Sequence, residues 1–361
     1  VIGLATRKKI TTHYPLPLPT ILRPFACAII HFMESEAPTP DERSQKPATG
    51  DALFTHLPEL RVSDLHFRPQ RRVLLPIALF LATCVSTFWV GCTEWQPLEQ
   101  EFLGSYAAMW HTIRIHWRTG LQYMVAVLAI LLTHEMGHFL QTVKYRIAAS
   151  YPLCIPVPFN AIGTMGAVIG MDGMKADRRQ IFDIGIAGPL AGLVVAIPVF
   201  WWGIVDLDLT SVPRHGELQL YLPWIGQWML ERAHPEWASR DWIGLTQVNP
   251  YFMAGWVGML ITGLNMLPVS QLDGGHTTYA LFLDGAHKIS RWFISLTIFY
   301  VVVNLQQAVM WTPMLVLVIL MGIHHPKTAN DQVKLGSVRW VIGLASLAIP
   351  ALCFPILGFR Q

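Results

Sequence analysis

Three side chains in the stretch "LAILLTHEMGHFLQ", Leu128 to Gln141, have the types and spacing for hydrolytic metal chemistry. His134 and His138 are four residues apart, which puts both imidazoles on one face of a helix. Imidazoles so placed can share one Zn²⁺, with Glu135 beside them as general base. The run around them is apolar, and ionisable groups at membrane depth are costly and usually functional. Composition alone gives H-E-x-x-H roughly 0.02 times in such a chain, so coincidence explains it poorly. The plainer reading is a hydrogen-bonded histidine pair inside a helix bundle.

A catalytic zinc takes three protein ligands and leaves one position open. The best third ligand in the sequence is Asp273, in "NMLPVSQLDGGH", Asn265 to His276. Pro268 stops the preceding helix, and Gly274-Gly275 predict a sharp turn. Alone, such a stretch is usually only a turn. The rivals are His276, His324 and His325. His276 would reach the metal only if its loop folded back, and His324-His325-Pro326 reads as interfacial.

The elements that must carry these residues are membrane helices. Of 361 residues, 53% are hydrophobic and only 14% charged, and mean hydropathy is +0.41. Soluble domains carry about 25% charged residues. The fold class expected is an all-α polytopic membrane protein, since the apolar runs are continuous rather than alternating. Spans are expected near Val73–Val90, Leu121–Val143, Ile181–Val205 and Tyr251–Leu267. Further runs cover Trp292–Trp311, Met314–Ile323 and Trp340–Leu357, giving six to seven crossings.

Lysine and arginine near span ends set the orientation. Arg68, Arg71 and Arg72 put the N-terminus inside, and Lys144, Arg146, Lys175, Arg178 and Arg179 belong on that side too. Residues 206–249, with six acids and three bases, fit outside. The second and fourth spans then both run inwards, which brings Asp273 level with His134 and His138, on the cytoplasmic side.

Residues 1–71 differ in kind. Prolines, mixed charges and no apolar period predict a mostly disordered cytosolic tail, followed by one membrane domain over 72–361. The first 32 residues lack acids, a weak targeting signal, and Met33 is an alternative start. The lack of a convincing transit peptide favours a bacterial inner membrane. Cys27, Cys84, Cys92, Cys154 and Cys353 show no C-x-x-C spacing, so neither a disulfide framework nor a thiolate metal site is expected. A formal charge of +3 gives no case for nucleic acid as a partner.

"YPLCIPVPFNAIGTMGAVIGM", Tyr151 to Met171, has too many prolines and glycines for a helix and is too apolar for a solvated loop. Non-helical backbone at membrane depth needs protein or a cavity to cover it. The expectation is a small membrane-embedded β-hairpin or loop near the active site, able to pair with an unwound substrate. Gly188 and Gly192 form a G-x-x-x-G that reads as close helix packing without a catalytic role.

With these motifs in view, the chain resembles the site-2 protease family of intramembrane zinc metalloproteases over a core of about residues 120–283. The resemblance rests on "HEMGH", "GTMGAVIGM" (Gly163–Met171), "GIAGPLAG" (Gly185–Gly192) and "NMLPVSQLDGGH". It implies one zinc per chain on His134, His138 and Asp273, with Glu135 catalytic. It also implies that Asn265 lies beside the metal and assists substrate or intermediate. The partners it implies are the lipid bilayer and a transmembrane-helix substrate, such as a membrane-anchored anti-sigma factor or transcription-factor precursor. Many members carry a PDZ domain between the third and fourth core spans, for which residues 206–249 are too short. Two competitors remain: a membrane zinc transporter or sensor, and a zinc protease of another family, which usually takes glutamate as third ligand.

Overall fold

The computed structural model describes residues 73–99, 104–171, 175–212, 216–269, 271–304, 311–320 and 325–360. The expected N-terminal tail, residues 1–71, lies outside the described residues, as do Ser270 and His324.

Helix α1 spans Leu74–Cys92 and α2 spans Tyr106–Lys144. At 39 residues α2 is much longer than the expected span Leu121–Val143. Its length is about 58 Å, against about 30 Å of bilayer hydrocarbon. It begins at Tyr106 because the Ser105 hydroxyl accepts from the Ala108 backbone N–H at 3.1 Å and caps the first turn. Helix α3, Arg178–Val205, opens on a reciprocal cap in which Asp177 and Gln180 satisfy each other's backbone donors. Among the described residues, α1, α2 and α3 are the helices long and apolar enough to cross a membrane.

Between α2 and α3 the chain forms an antiparallel hairpin of β1, Leu153–Val157, and β2, Gly163–Val168. The hairpin expected over Tyr151–Met171 is therefore present. Its turn is tied to the helices from both sides. Ser86 on α1 donates to the Gly163 carbonyl at 2.6 Å, and Tyr123 on α2 donates to the Ile162 carbonyl at 2.7 Å.

Residues 206–249 contain β3, Gln219–Tyr221, the helix α4, Trp224–Ala233, and β4, Trp242–Gly244. Helix α5, Pro250–Asn265, follows. Asn249 caps it by accepting from the Phe252 N–H at 2.8 Å. Helix α5 is the buried centre of the fold: every residue from Phe252 to Leu260 is buried, with Trp256 fully so. Its neighbours are α2 and α3, together with α10, Ile349–Cys353.

Helix α6, Asp273–Phe282, leads into α7, Asp284–Val303, and the chain continues through α8, Thr312–Leu320, and α9, Ser337–Ser346. The expected single run Trp340–Leu357 is instead split between α9 and α10. Pro350, in the first turn of α10, has no N–H to continue the ladder from α9. Strand β5, Phe359–Arg360, then pairs with β3, giving a three-stranded sheet in the order β4-β3-β5.

Asn249 joins α3 to α5, because its amide also donates to the carbonyls of Gly203 (2.8 Å) and Asp206 (2.9 Å). Asn249→Ala loses the cap and both donors. It is expected to destabilise the fold by about 1–2 kcal/mol, read as a lower unfolding midpoint in detergent. Asn249→Asp keeps the cap and should recover part of that loss.

Candidate metal centre

His134 and His138 project from α2 towards α3 and α6. His134 Nε2 lies 3.2 Å from Asp273 Oδ2, His138 Nε2 lies 3.2 Å from the same oxygen, and the two Nε2 atoms are 3.3 Å apart. The three side chains are little exposed, at 3%, 12% and 15%. A tetrahedral ion bound at about 2.0–2.1 Å needs ligand atoms about 3.3–3.4 Å apart. The three atoms therefore fit three corners around a zinc-sized ion and leave the fourth free. The Asn265 amide nitrogen, at the last turn of α5, stands 3.3 Å from His134 Nε2. Glu135 is 6% exposed and lies within electrostatic range of His138 and Asp273. The β1–β2 hairpin packs against α2, the helix that carries His134, Glu135 and His138.

The expected turn at Gly274-Gly275 is corrected by the structure: Asp273 is the first residue of a helix. Gly274 is needed for contact rather than for bending. A Cβ there would stand 2.1 Å from the Met266 carbonyl oxygen, so only glycine lets α6 start directly against the end of α5. Asp273 gains from this position, since a carboxylate at a helix N-terminus meets the positive end of the dipole. The other end of α6 is held by Arg178, whose guanidinium donates to the carbonyls of Ala280 (2.6 Å) and Leu281 (3.1 Å).

Helix α3 supplies what the sequence reading left out. His138 Nδ1 donates to the Ile184 carbonyl at 2.8 Å, which leaves Nε2 with a lone pair for a metal. The G-x-x-x-G makes room for the imidazoles. A Cβ on Gly188 would fall 2.0 Å from His138 Nε2, and one on Gly192 would fall 3.1 Å from His134 Nδ1. The signal was available: glycines four apart on one helix face histidines four apart on the next. Beside Ile184, the Asp183 carboxylate takes two bonds from Arg339 (2.7 and 2.8 Å) and one from the Tyr145 hydroxyl at 2.5 Å. This binds α9 and the end of α2 to α3.

Two of the rival ligands, His276 and His325, bind each other. His276 Nδ1 lies 2.6 Å from His325 Nε2. Burial, then the neighbouring His325, pushes His276 down to about 4, and burial lowers His325 as well. Both rings are therefore neutral at pH 7. Gly188→Ala should abolish high-affinity zinc binding, because its methyl would occupy the position of the His138 ring. The check is the metal content of the purified variant beside wild type, with circular dichroism to establish that it is folded.

Residues 122–220 match the profile of peptidase family M50. The chain is 33% identical over 174 residues to a protein named probable zinc metalloprotease EGY1, chloroplastic, of Oryza sativa subsp. japonica. That alignment covers 45% of this chain and 28% of the relative. It is 34% identical over 166 residues to the protein of the same name from Arabidopsis thaliana, covering 43% and 28%. To probable zinc metalloprotease EGY2, chloroplastic, of Arabidopsis thaliana, it is 26% identical over 170 residues, covering 46% and 29%. The chain thus spans under a third of the length of these curated relatives. Over residues 122–220 the chain is thus similar to peptidase family M50, the site-2 protease family.

Proposed function

We propose that the chain is an intramembrane zinc metalloendopeptidase that hydrolyses a peptide bond within or next to a transmembrane helix of a membrane-anchored substrate. The observation that carries this reading is the triangle of His134, His138 and Asp273, with 3.2–3.3 Å edges, beside Glu135 in a helix long and apolar enough to cross a membrane. In this reading the three residues hold one zinc. A zinc ion held there supplies Lewis acidity, acidifying water and polarising a carbonyl. Glu135 takes the proton from the attacking water and returns it to the leaving amine. Asn265 donates from its amide to the charge developing on the carbonyl oxygen. The Ile184 carbonyl holds His138 in the tautomer that keeps Nε2 available.

A peptide bond in an intact helix is shielded by its own turns, so the substrate must first unwind. The β1–β2 hairpin is the surface proposed to receive it. It packs against α2, and Ile155, Met165 and Val168 on its strands are exposed and apolar. The number of crossings proposed is six to seven, with α5, α7, α8 and α9–α10 adding to the three long helices. The named relatives are chloroplastic, which gives the expected bacterial inner membrane no support. A plastid membrane is proposed in its place, with the metal side on the face flanked by Lys144, Lys175, Arg178 and Arg179.

Two experiments test this. Glu135→Gln should keep zinc and lower cleavage of a model transmembrane substrate by about 10²–10⁴-fold. Asp273→Ala and His134→Ala should lose the metal. A zinc transporter would keep its transport in Glu135→Gln, and unchanged proteolysis in that variant would end the protease reading. Separately, proline substitutions along Ala161–Val168 should block cleavage while zinc stays bound. Undiminished cleavage would remove the hairpin from the substrate path.

A further inference from the structure

His276 and His325 lie far apart in sequence, yet their rings meet edge to face at 4.8 Å between centroids. The protons can be assigned. His325 Nδ1 is 2.6 Å from the carbonyl oxygen of Pro326, which can only accept, so that nitrogen carries the hydrogen. In the neutral ring Nε2 is then a lone pair, and the 2.6 Å contact is a hydrogen bond donated by His276 Nδ1. The face of His325 also stacks on Tyr279, at 4.3 Å and 13°. Beyond it, the Tyr279 hydroxyl donates to Asp331 at 3.0 Å, and Thr328 donates to the other oxygen of Asp331 at 2.7 Å.

Asp273, His276 and Tyr279 follow one another at three-residue intervals on α6, so His276 is the surface neighbour of both. The opposite constraint comes from α3: a Cβ on Gly185 would stand 3.0 Å from the His276 Cβ and 3.3 Å from the Asp273 carbonyl oxygen. Helix α6 is thus held between α3 and the segment starting at His325. Rotation of α6 about its own axis would move the Asp273 carboxylate away from both imidazoles.

We propose that His325 is a positioning residue for the metal centre. By accepting from His276 and stacking on Tyr279, it fixes the rotation of α6 and so the aim of Asp273 at His134 and His138. The inference rests on the zinc site proposed above and goes beyond it, since His325 lies outside the matched residues 122–220.

The test uses the full chain in nanodiscs. Zinc affinity is measured by competition with a chelator, and hydrogen exchange along α6 is measured in the metal-free protein. His325→Phe keeps a ring against Tyr279 but removes the acceptor. It should weaken zinc binding about 10–100-fold, the usual effect of losing an outer partner of a metal ligand. It should also speed exchange in the first turn of α6. His325→Gln restores an acceptor oxygen and should bind zinc close to wild type, a rescue that a purely packing role would not produce. His276→Leu removes the same bond from the donor side and must reproduce the loss, which keeps the test alive if His325→Phe misfolds. Wild-type affinity and unchanged exchange in His325→Phe, or wild-type affinity in a folded His276→Leu, overturns the proposal. Equal zinc binding by wild type and Asp273→Ala would instead overturn the zinc site itself.

Discussion

Burying a carboxylate between two imidazoles is the constraint on which this structure turns. Each ion taken out of water costs several kcal/mol unless close, well-directed partners compensate it. Here one oxygen of Asp273 meets both Nε2 atoms at 3.2 Å. The cost is met by geometry, and that geometry has to come from segments more than a hundred residues apart.

Helix α3 makes the convergence possible. It runs against α2 on one side and α6 on the other, and small residues line both contacts. Because the Gly188 and Gly192 positions carry no side chain, the imidazoles lie almost on the α3 backbone. The Ile184 carbonyl can then accept the hydrogen bond from His138 Nδ1. Helix α6 is short, and its charges are placed to suit its dipole, with Asp273 at the first residue and Arg178 across its last carbonyls. A ten-residue helix held at both ends offers a more fixed carboxylate than a glycine turn would.

The chemistry was legible in the sequence wherever it depends on local spacing. His134, Glu135 and His138 declare themselves through helical periodicity, and prolines alone set Tyr151–Met171 apart from the helices around it. Asp273 was singled out from the order of the spans, and the structure brings its carboxylate within 4.8 Å of both imidazoles. What stayed hidden depends on neighbours that no local window contains. Glycine propensity makes Asp273-Gly274-Gly275 look like a turn, yet contact with the Met266 carbonyl makes it a helix start. The start of α2 was missed because Trp110, His111, Arg114, His116 and Arg118 interrupt the apolar run, while the Ser105 cap sits further upstream. His276 and His325 read as spare ligands because nothing in sequence reveals that they satisfy each other.

The length of α2 has a mechanical consequence. One unbroken rod carries Trp110, half exposed near one end, and His138, near the other. Levered about its midpoint, a rod of about 58 Å moves each tip by roughly 0.5 Å per degree. The helix that holds the imidazoles therefore extends about 58 Å in one piece, so its exposed end and its metal-side end cannot tilt independently.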